Sequence, residues 1–325
     1  MNRRAFLTTA AAGISFARIV RPAASTRIPL GANVILPNTE PVRTMMGQVG
    51  YRETDDPEIL AQAHKRLGYT AAFCPAGKAG DTVRVKAIRK AFADAGVLLA
   101  EVGAWENMMT PDLAARKKNI EYNIQQMALA DELEARCCVD VAGSFDSATL
   151  SGPHPKNLSQ EFFDATVEHC RTILDTVKPR RSKYSLEMKG WNLPDGPDSY
   201  LALIKAIDRP AFGVHMDICN SINSPMRYYN SGAFIEETFR KIGKWVLSCH
   251  GKDLKWIPEQ NVHFVEVPPG QGGVDYRAYL REISKTGAPL LLEHLLTNEA
   301  FQEGARYVKK IGAEIGVEIG YNGNK

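Results

Sequence analysis

The sequence predicts a single-domain α/β protein, a (β/α)8 TIM barrel. Three observations lead there. Apolar runs of strand length alternate with helical segments eight times, and such alternation means parallel strands joined by helical crossovers. Eight units in one chain favour a closed barrel over an open doubly wound sheet, and neither the G-x-G-x-x-G fingerprint of a dinucleotide fold nor a P-loop occurs. Finally, Glu187, Asp217, His250 and Glu293 each follow an apolar run and open into a polar loop. They therefore fall at C-terminal strand ends, where barrels carry their chemistry.

The elements follow in order. Residues 28–36 read as strand one. A helix over 55–67 starts near Asp56-Pro57, because proline is tolerated in a first turn, and stops at Gly68. Strand two covers 69–75, and a helix over 81–95 ends at Gly96. Strand three is 97–105. Pro111-Asp112 opens a helix to 134, with Ile120, Ile124, Met127 and Ala130 at helical spacing. Strand four, 137–144, precedes a helix over 158–177. The remaining strands read as 183–190, 211–217, 245–254 and 289–295. Their helices read as 199–207, 233–242, 274–285 and 298–312.

Composition sets limits. The 325 residues are 44% hydrophobic and 24% charged, enough for a large core. The formal net charge is +3 with no long basic run, which gives no footprint for nucleic acid or an anionic membrane. No stretch has the roughly 18 uninterrupted apolar residues of a membrane span. The six cysteines are expected to be free and mostly buried, Cys137 and Cys138 being adjacent and so on opposite faces of one strand. Arg3 and Arg4, then Phe6 and Leu7, then an Ala/Thr-rich run resemble a twin-arginine export signal. Residues 1–26 are assigned to that signal, with small residues Ala23, Ala24 and Ser25 for cleavage, and 27–325 to the barrel. The resemblance implies the twin-arginine machinery as a partner, a periplasmic or exported location, and no membrane span in the mature form. The sequence leaves a homo-oligomer open.

Glu187, Asp217, His250 and Glu293 are separated by 30, 33 and 43 residues. Each interval fits one strand–helix–strand repeat, so the four lie on consecutive strands five to eight. Three carboxylates and one imidazole suit a hard or borderline divalent cation: Mn²⁺ first, with Co²⁺, Mg²⁺ or Zn²⁺ also compatible. Lys189 and Lys252 lie two residues after Glu187 and His250, and His215 two before Asp217, on the same strand sides. They join the set as substrate contacts or supports for the ligands. Trp105 and Trp191 are placed to stack on a sugar ring, and Glu266, before the PPGQGG loop, to enter the pocket. His263 reads equally as surface or site. His294 is expected to point outward, because neighbouring Glu293 points in.

The motifs EVGAWEN (101–107), LADELEARCCV (129–139), SCHGKD (248–253), EVPPGQGGVDY (266–276) and LLLEHL (290–295) resemble the xylose isomerase-like barrel superfamily, in its sugar isomerase and epimerase branch. The resemblance implies Glu187, Asp217, His250 and Glu293 as metal ligands, with Glu187 and Glu293 also moving the proton. Ketose 3-epimerases of that branch carry His three residues after the Asp, where this chain has Asn220, so a substrate contact differs. The implied activity is a divalent-metal-dependent isomerase or epimerase, acting through a metal-stabilised enediolate on a non-phosphorylated carbohydrate. No arginine cluster for a phosphate appears at the strand ends. The alternative is a metal-dependent lyase or hydratase acting on a 3-keto sugar or glycoside, since elimination can follow the same proton abstraction. A nuclease of the superfamily would need more histidine ligands and a basic face, and a non-catalytic sugar-binding protein would not need two acid/base glutamates.

Overall fold

The computed structural model describes residues 27–36, 41–43, 49–51 and 56–320. The predicted signal at 1–26 lies outside them. Among the described residues the barrel strands are β1 Leu30–Ala32, β2 Ala71–Phe73, β3 Leu98–Gly103, β4 Cys137–Asp140, β5 Tyr184–Glu187, β6 Phe212–Met216, β7 Val246–Gly251 and β8 Leu290–Leu292. They are all parallel and follow one another around a closed barrel, β8 pairing with β1. Outside it run α1 Pro57–Arg66, α2 Thr82–Ala95, α3 Leu113–Leu133, α4 Gln160–Val177, α5 Pro197–Ile207, α6 Ser231–Ile242, α7 Tyr276–Ser284 and α8 Asn298–Ile315.

Local chemistry sets most boundaries. The side chains of Asp56, Asp81, Asp112, Ser159, Asp275 and Thr297 accept first-turn N–H groups of α1, α2, α3, α4, α7 and α8. Gly96 ends α2 in the left-handed region. The expected end of α8 at 312 is corrected. Gly312 is a packing position, since a Cβ there would lie 2.5 Å from Ile319 Cγ1, and the helix runs on to the left-handed Gly316.

Two expected strands divide. Pro29 has no N–H and interrupts strand one. Arg27–Ile28 pairs outside the barrel with Glu318–Ile319, and Leu30–Ala32 enters the wall. Strand seven ends at Gly251, and its continuation, Asp253–Trp256, pairs antiparallel with Phe264–Val267. Strand three stops at Gly103, where Trp105 folds back and its Nε1 lies 2.2 Å from the place a Cβ would take. Two short helices, Ile218–Ser221 and Pro225–Tyr229, fill the β6–α6 connection.

Large side chains pack between strands and helices, whereas the lumen is narrow. Ala71, Ala100 and Leu291 meet there against Phe73, and a Cβ at Gly31 would be 2.2 Å from Leu291 Cδ2. All six cysteines are free, and all but Cys74 are buried.

At the mouth one carboxylate orders a whole loop. Asp253 Oδ1 accepts the N–H groups of Leu254 (2.8 Å) and Val274 (3.0 Å), and Oδ2 those of Gly270 (3.0 Å) and Gly272 (3.1 Å). This folds the PPGQGG loop onto the foot of the 253–267 hairpin. Asp253→Ala would strand the buried N–H groups of Leu254 and Val274 at roughly 1–3 kcal/mol each, while those of Gly270 and Gly272 can turn to water. We expect a loss of about 2 kcal/mol or more in urea unfolding, and a loss near zero would show that the loop is held elsewhere.

Candidate metal centre

Strand alternation decides which side chains reach the lumen. On β5, Ser185 and Glu187 share a side; on β6, Gly213 and His215; on β7, Ser248 and His250. Asp217 and Glu293 stand one residue beyond β6 and β8. Glu187, Asp217, His250 and Glu293 each offer a ligand atom, and these atoms lie within 4.8 Å of one another, all buried. His250 Nδ1 is the centre: Glu293 Oε2 is at 2.9 Å, Glu187 Oε1 at 3.7 Å and Asp217 Oδ2 at 4.0 Å.

The backbone under these groups is tied down. Tyr279 on α7 donates its hydroxyl to the carbonyls of Met216 (3.0 Å) and His250 (2.9 Å), and Tyr276 donates to that of Lys252 (2.8 Å). Asp217 Oδ1 accepts the N–H groups of Cys219 and Asn220. That rotates its other oxygen toward His250.

A carboxylate absent from the expected set organises the layer beneath. Glu101 on β3 is fully buried and lies 3.1 Å from Nε2 of both His215 and His250, and it accepts the Ser248 hydroxyl. Burial alone would raise its pKa, but the two facing histidines hold it at about 2. An ionised carboxylate can only accept, so Nε2–H of His250 donates to it and Nδ1 is left to face the three acids. The signal in the sequence was an acid inside the apolar run LLAEV, since a buried charge needs a partner.

Positive charge balances the cluster. Lys252 Nζ is 2.7 Å from Asp217 Oδ2, 2.9 Å from Glu293 Oε1 and 3.0 Å from Glu266 Oε1. Lys189 Nζ is 3.1 Å from Glu187 Oε2. Burial would raise the Glu187 and Glu293 pKa values, but Lys189 and His250 at the first and His250 and Lys252 at the second depress both well below the ordinary range. At Asp217 burial and the two neighbouring glutamates prevail over Lys252, and the pKa rises to about 6. Burial would lower the His250 pKa, yet Glu293 and Glu101 raise it well above normal.

The donors fit a divalent cation. Asp217 Oδ2, His250 Nδ1 and Glu293 Oε1 are buried without a well-directed hydrogen bond among the described residues, despite their short contacts. Three carboxylate oxygens and an imidazole nitrogen converge from four consecutive strands, the donor chemistry of a hard or borderline ion.

The other expected residues stand at different depths. Lys189, Asn220 and Lys252 stand in the cluster, Asn220 donating to Glu187 Oε1 at 2.7 Å. Glu266 joins through Lys252, and His294 Nδ1, 2.6 Å away, with Lys252 holds its carboxyl at about 2 against burial. His215 is fully buried below the cluster, its ring 4.1 Å from that of His250 and its Nε2 on Glu101, so it backs the ligand and does not reach the mouth. Trp105 and Trp191 lie exposed. His263 sits on the hairpin against Glu259. The outward orientation expected for His294 is corrected: its backbone adopts φ 59°, outside strand geometry, and brings Nε2 to 3.3 Å from Glu293.

Glu187→Gln and His250→Ala should each abolish stoichiometric metal in elemental analysis of the purified protein. Glu101→Gln should keep the fold by circular dichroism but weaken metal binding about 10–100-fold. Unchanged affinity in Glu101→Gln would remove it from the metal's support.

No curated protein matches the sequence. Among solved structures, a xylose isomerase domain protein from Planctomyces limnophilus superposes with TM-score 0.63 at 16% identity, over 89% of this chain and 98% of that one. A xylose isomerase-like TIM barrel protein from Mycobacterium smegmatis, in complex with magnesium, gives 0.61 at 17%, over 91% and 100%. The 3-keto-D-glucoside 4-epimerase of E. coli gives 0.60 at 9%, over 87% and 100%. At these identities the likeness is one of fold. A family model described as xylose isomerase-like TIM barrel matches residues 61–311, a span that takes in β2 to β8 and all four strand ends of the candidate metal centre, and the chain belongs to that family.

Proposed function

We propose that the protein is a divalent-metal-dependent isomerase or epimerase of a non-phosphorylated carbohydrate, with Mn²⁺ as the cation. One observation carries the reading. Glu187 and Glu293, from β5 and the end of β8, both face His250 Nδ1, and both are held ionised by neighbouring cations. Two carboxylate bases therefore flank one seat.

A bound divalent cation would polarise a substrate carbonyl and its neighbouring hydroxyl, acidifying the C–H between them. The chain supplies the rest. Glu187, aimed by Asn220 and Lys189, can take a proton from one face of the sugar. Glu187, once protonated, can return that proton at the neighbouring carbon, which isomerises the sugar. Inversion takes a second proton from the other face, given by Glu293, aimed by Lys252 and His294, when it enters the step as the acid. The Lys189 and Lys252 ammonium groups stand where they can hold substrate oxygens. The magnesium-bound and 3-keto-glucoside-epimerising relatives of the same fold support this reading.

A second reading rests on Asn220, which can neither give nor take a proton where ketose 3-epimerases have histidine. The substrate contact there has changed, so 3-epimerisation of a free ketose does not follow. A metal-dependent lyase or hydratase acting on a 3-keto sugar or glycoside can use the same two glutamates, since elimination can follow the same proton abstraction. We also propose export to the periplasm by the twin-arginine machinery, on the strength of Arg3 and Arg4.

NMR in D₂O with metal-loaded protein and free or 3-keto sugars tests the chemistry. Deuterium beside the carbonyl with the carbon skeleton retained supports isomerisation or epimerisation, loss of water or aglycone supports the lyase, and neither would end both readings. Glu187→Gln and Glu293→Gln should each lower turnover about 10²–10⁴-fold. Arg3→Lys with Arg4→Lys should leave the protein in the cytoplasm, and unchanged periplasmic accumulation would refute the export proposal.

A further inference from the structure

Beside the acidic cluster lies a small groove between the helix Pro225–Tyr229 and the 253–267 hairpin. We propose that it binds a second pyranose ring, making the substrate a glycoside or disaccharide whose reacting sugar occupies the metal centre. The proposal deepens the carbohydrate reading and rests on it.

The groove has a volume of about 210 Å³, and Pro225, Tyr229, Trp256, Gln260, Asn261 and Phe264 are among its walls. That is room for one sugar ring, not for a protein segment. Its two largest aromatics are conspicuously open, Tyr229 at 72% and Trp256 at 40% exposure. Large apolar side chains left in water beside one another mark a surface meant to be covered. Gln260, Asn261 and Glu259 line the same space. Aromatic faces for the C–H side of a pyranose, with amides and a carboxylate for its hydroxyl edge, match an amphipathic ring better than a purely apolar ligand.

The walls are preformed. Tyr228, next to Tyr229, stacks on Phe264 with ring centroids 4.9 Å apart and so pins the short helix to the hairpin. Ile257 N–H donates to the His263 carbonyl at 2.9 Å, closing the hairpin's outer end. Asp253 anchors its foot through the four N–H bonds described above.

The groove shares its hairpin with Glu266. In the hairpin register Leu254 pairs with Glu266 and Trp256 with Phe264. Glu266 contacts Lys252, which contacts Asp217 and Glu293. The Trp256–Phe264 pair lies two residues farther out, about 7 Å along the strand. That step is near the length of one sugar ring, and the hairpin that brings Glu266 to Lys252 carries the groove's Trp256 and Phe264 outward from it.

Intrinsic tryptophan fluorescence titration of the full-length, metal-loaded protein tests this, with glucose against cellobiose, maltose, sophorose and trehalose. At least one disaccharide should bind about tenfold more tightly than glucose. Trp256→Ala and Tyr229→Ala should each abolish that preference, read by saturation-transfer NMR where the fluorophore is lost, and Trp256→Phe should restore part of it. The proposal is overturned if no disaccharide is preferred, if both alanine variants keep the preference, or if Trp256→Ala changes sedimentation instead, which would make the patch a contact between copies of the chain. Sugars that exchange deuterium but show no disaccharide preference would defeat the groove alone. A preference retained by a protein that performs no chemistry would defeat the function alone.

Discussion

Three buried carboxylates within 4.8 Å of one another repel strongly, and the mouth of this barrel exists only because positive charge is arranged among them. Lys252 touches three acids, Lys189 one, and His250 Nδ1 faces oxygens of Glu187, Asp217 and Glu293. These cations hold Glu187 and Glu293 ionised in a place where burial would protonate them. The same balance is what a divalent ion would complete, so the electrostatics of the site and its chemistry have a single origin.

The scaffold serves that balance. Closing eight parallel strands brings four consecutive strand ends to one rim, and their curvature converges side chains that are far apart along the chain. Beneath them Glu101 fixes which nitrogen of His250 faces upward. Around them α7 supplies two tyrosines that hold the carbonyls of residues 216, 250 and 252. Above them Asp253 ties the glycine loop to the hairpin. Removing any of these would leave the four candidate ligands present and their directions loose, which is how metal sites lose affinity.

Much of this was legible in the chain. Periodicity and glycine or proline punctuation located the eight units, and ionisable residues after apolar runs located the rim. What escaped was of two kinds. Breaks such as that at Pro29 and the departure of Asp253–Trp256 from the wall depend on which partner strand the backbone finds, and local propensity carries no record of it. His294 escaped because alternation assumes strand geometry, and a single residue at φ 59° cancels it. Glu101 was visible as an acid in an apolar strand, but its role came from two histidines 114 and 149 residues away.

Anomalous diffraction from crystals grown with Mn²⁺ tests the central claim most directly. The account predicts one strong peak per chain, about 2.0–2.3 Å from carboxylate oxygens of Glu187, Asp217 and Glu293 and from Nδ1 of His250. A peak coordinated by Glu101 and His215 instead, or no peak at the strand ends with manganese in excess, would contradict it.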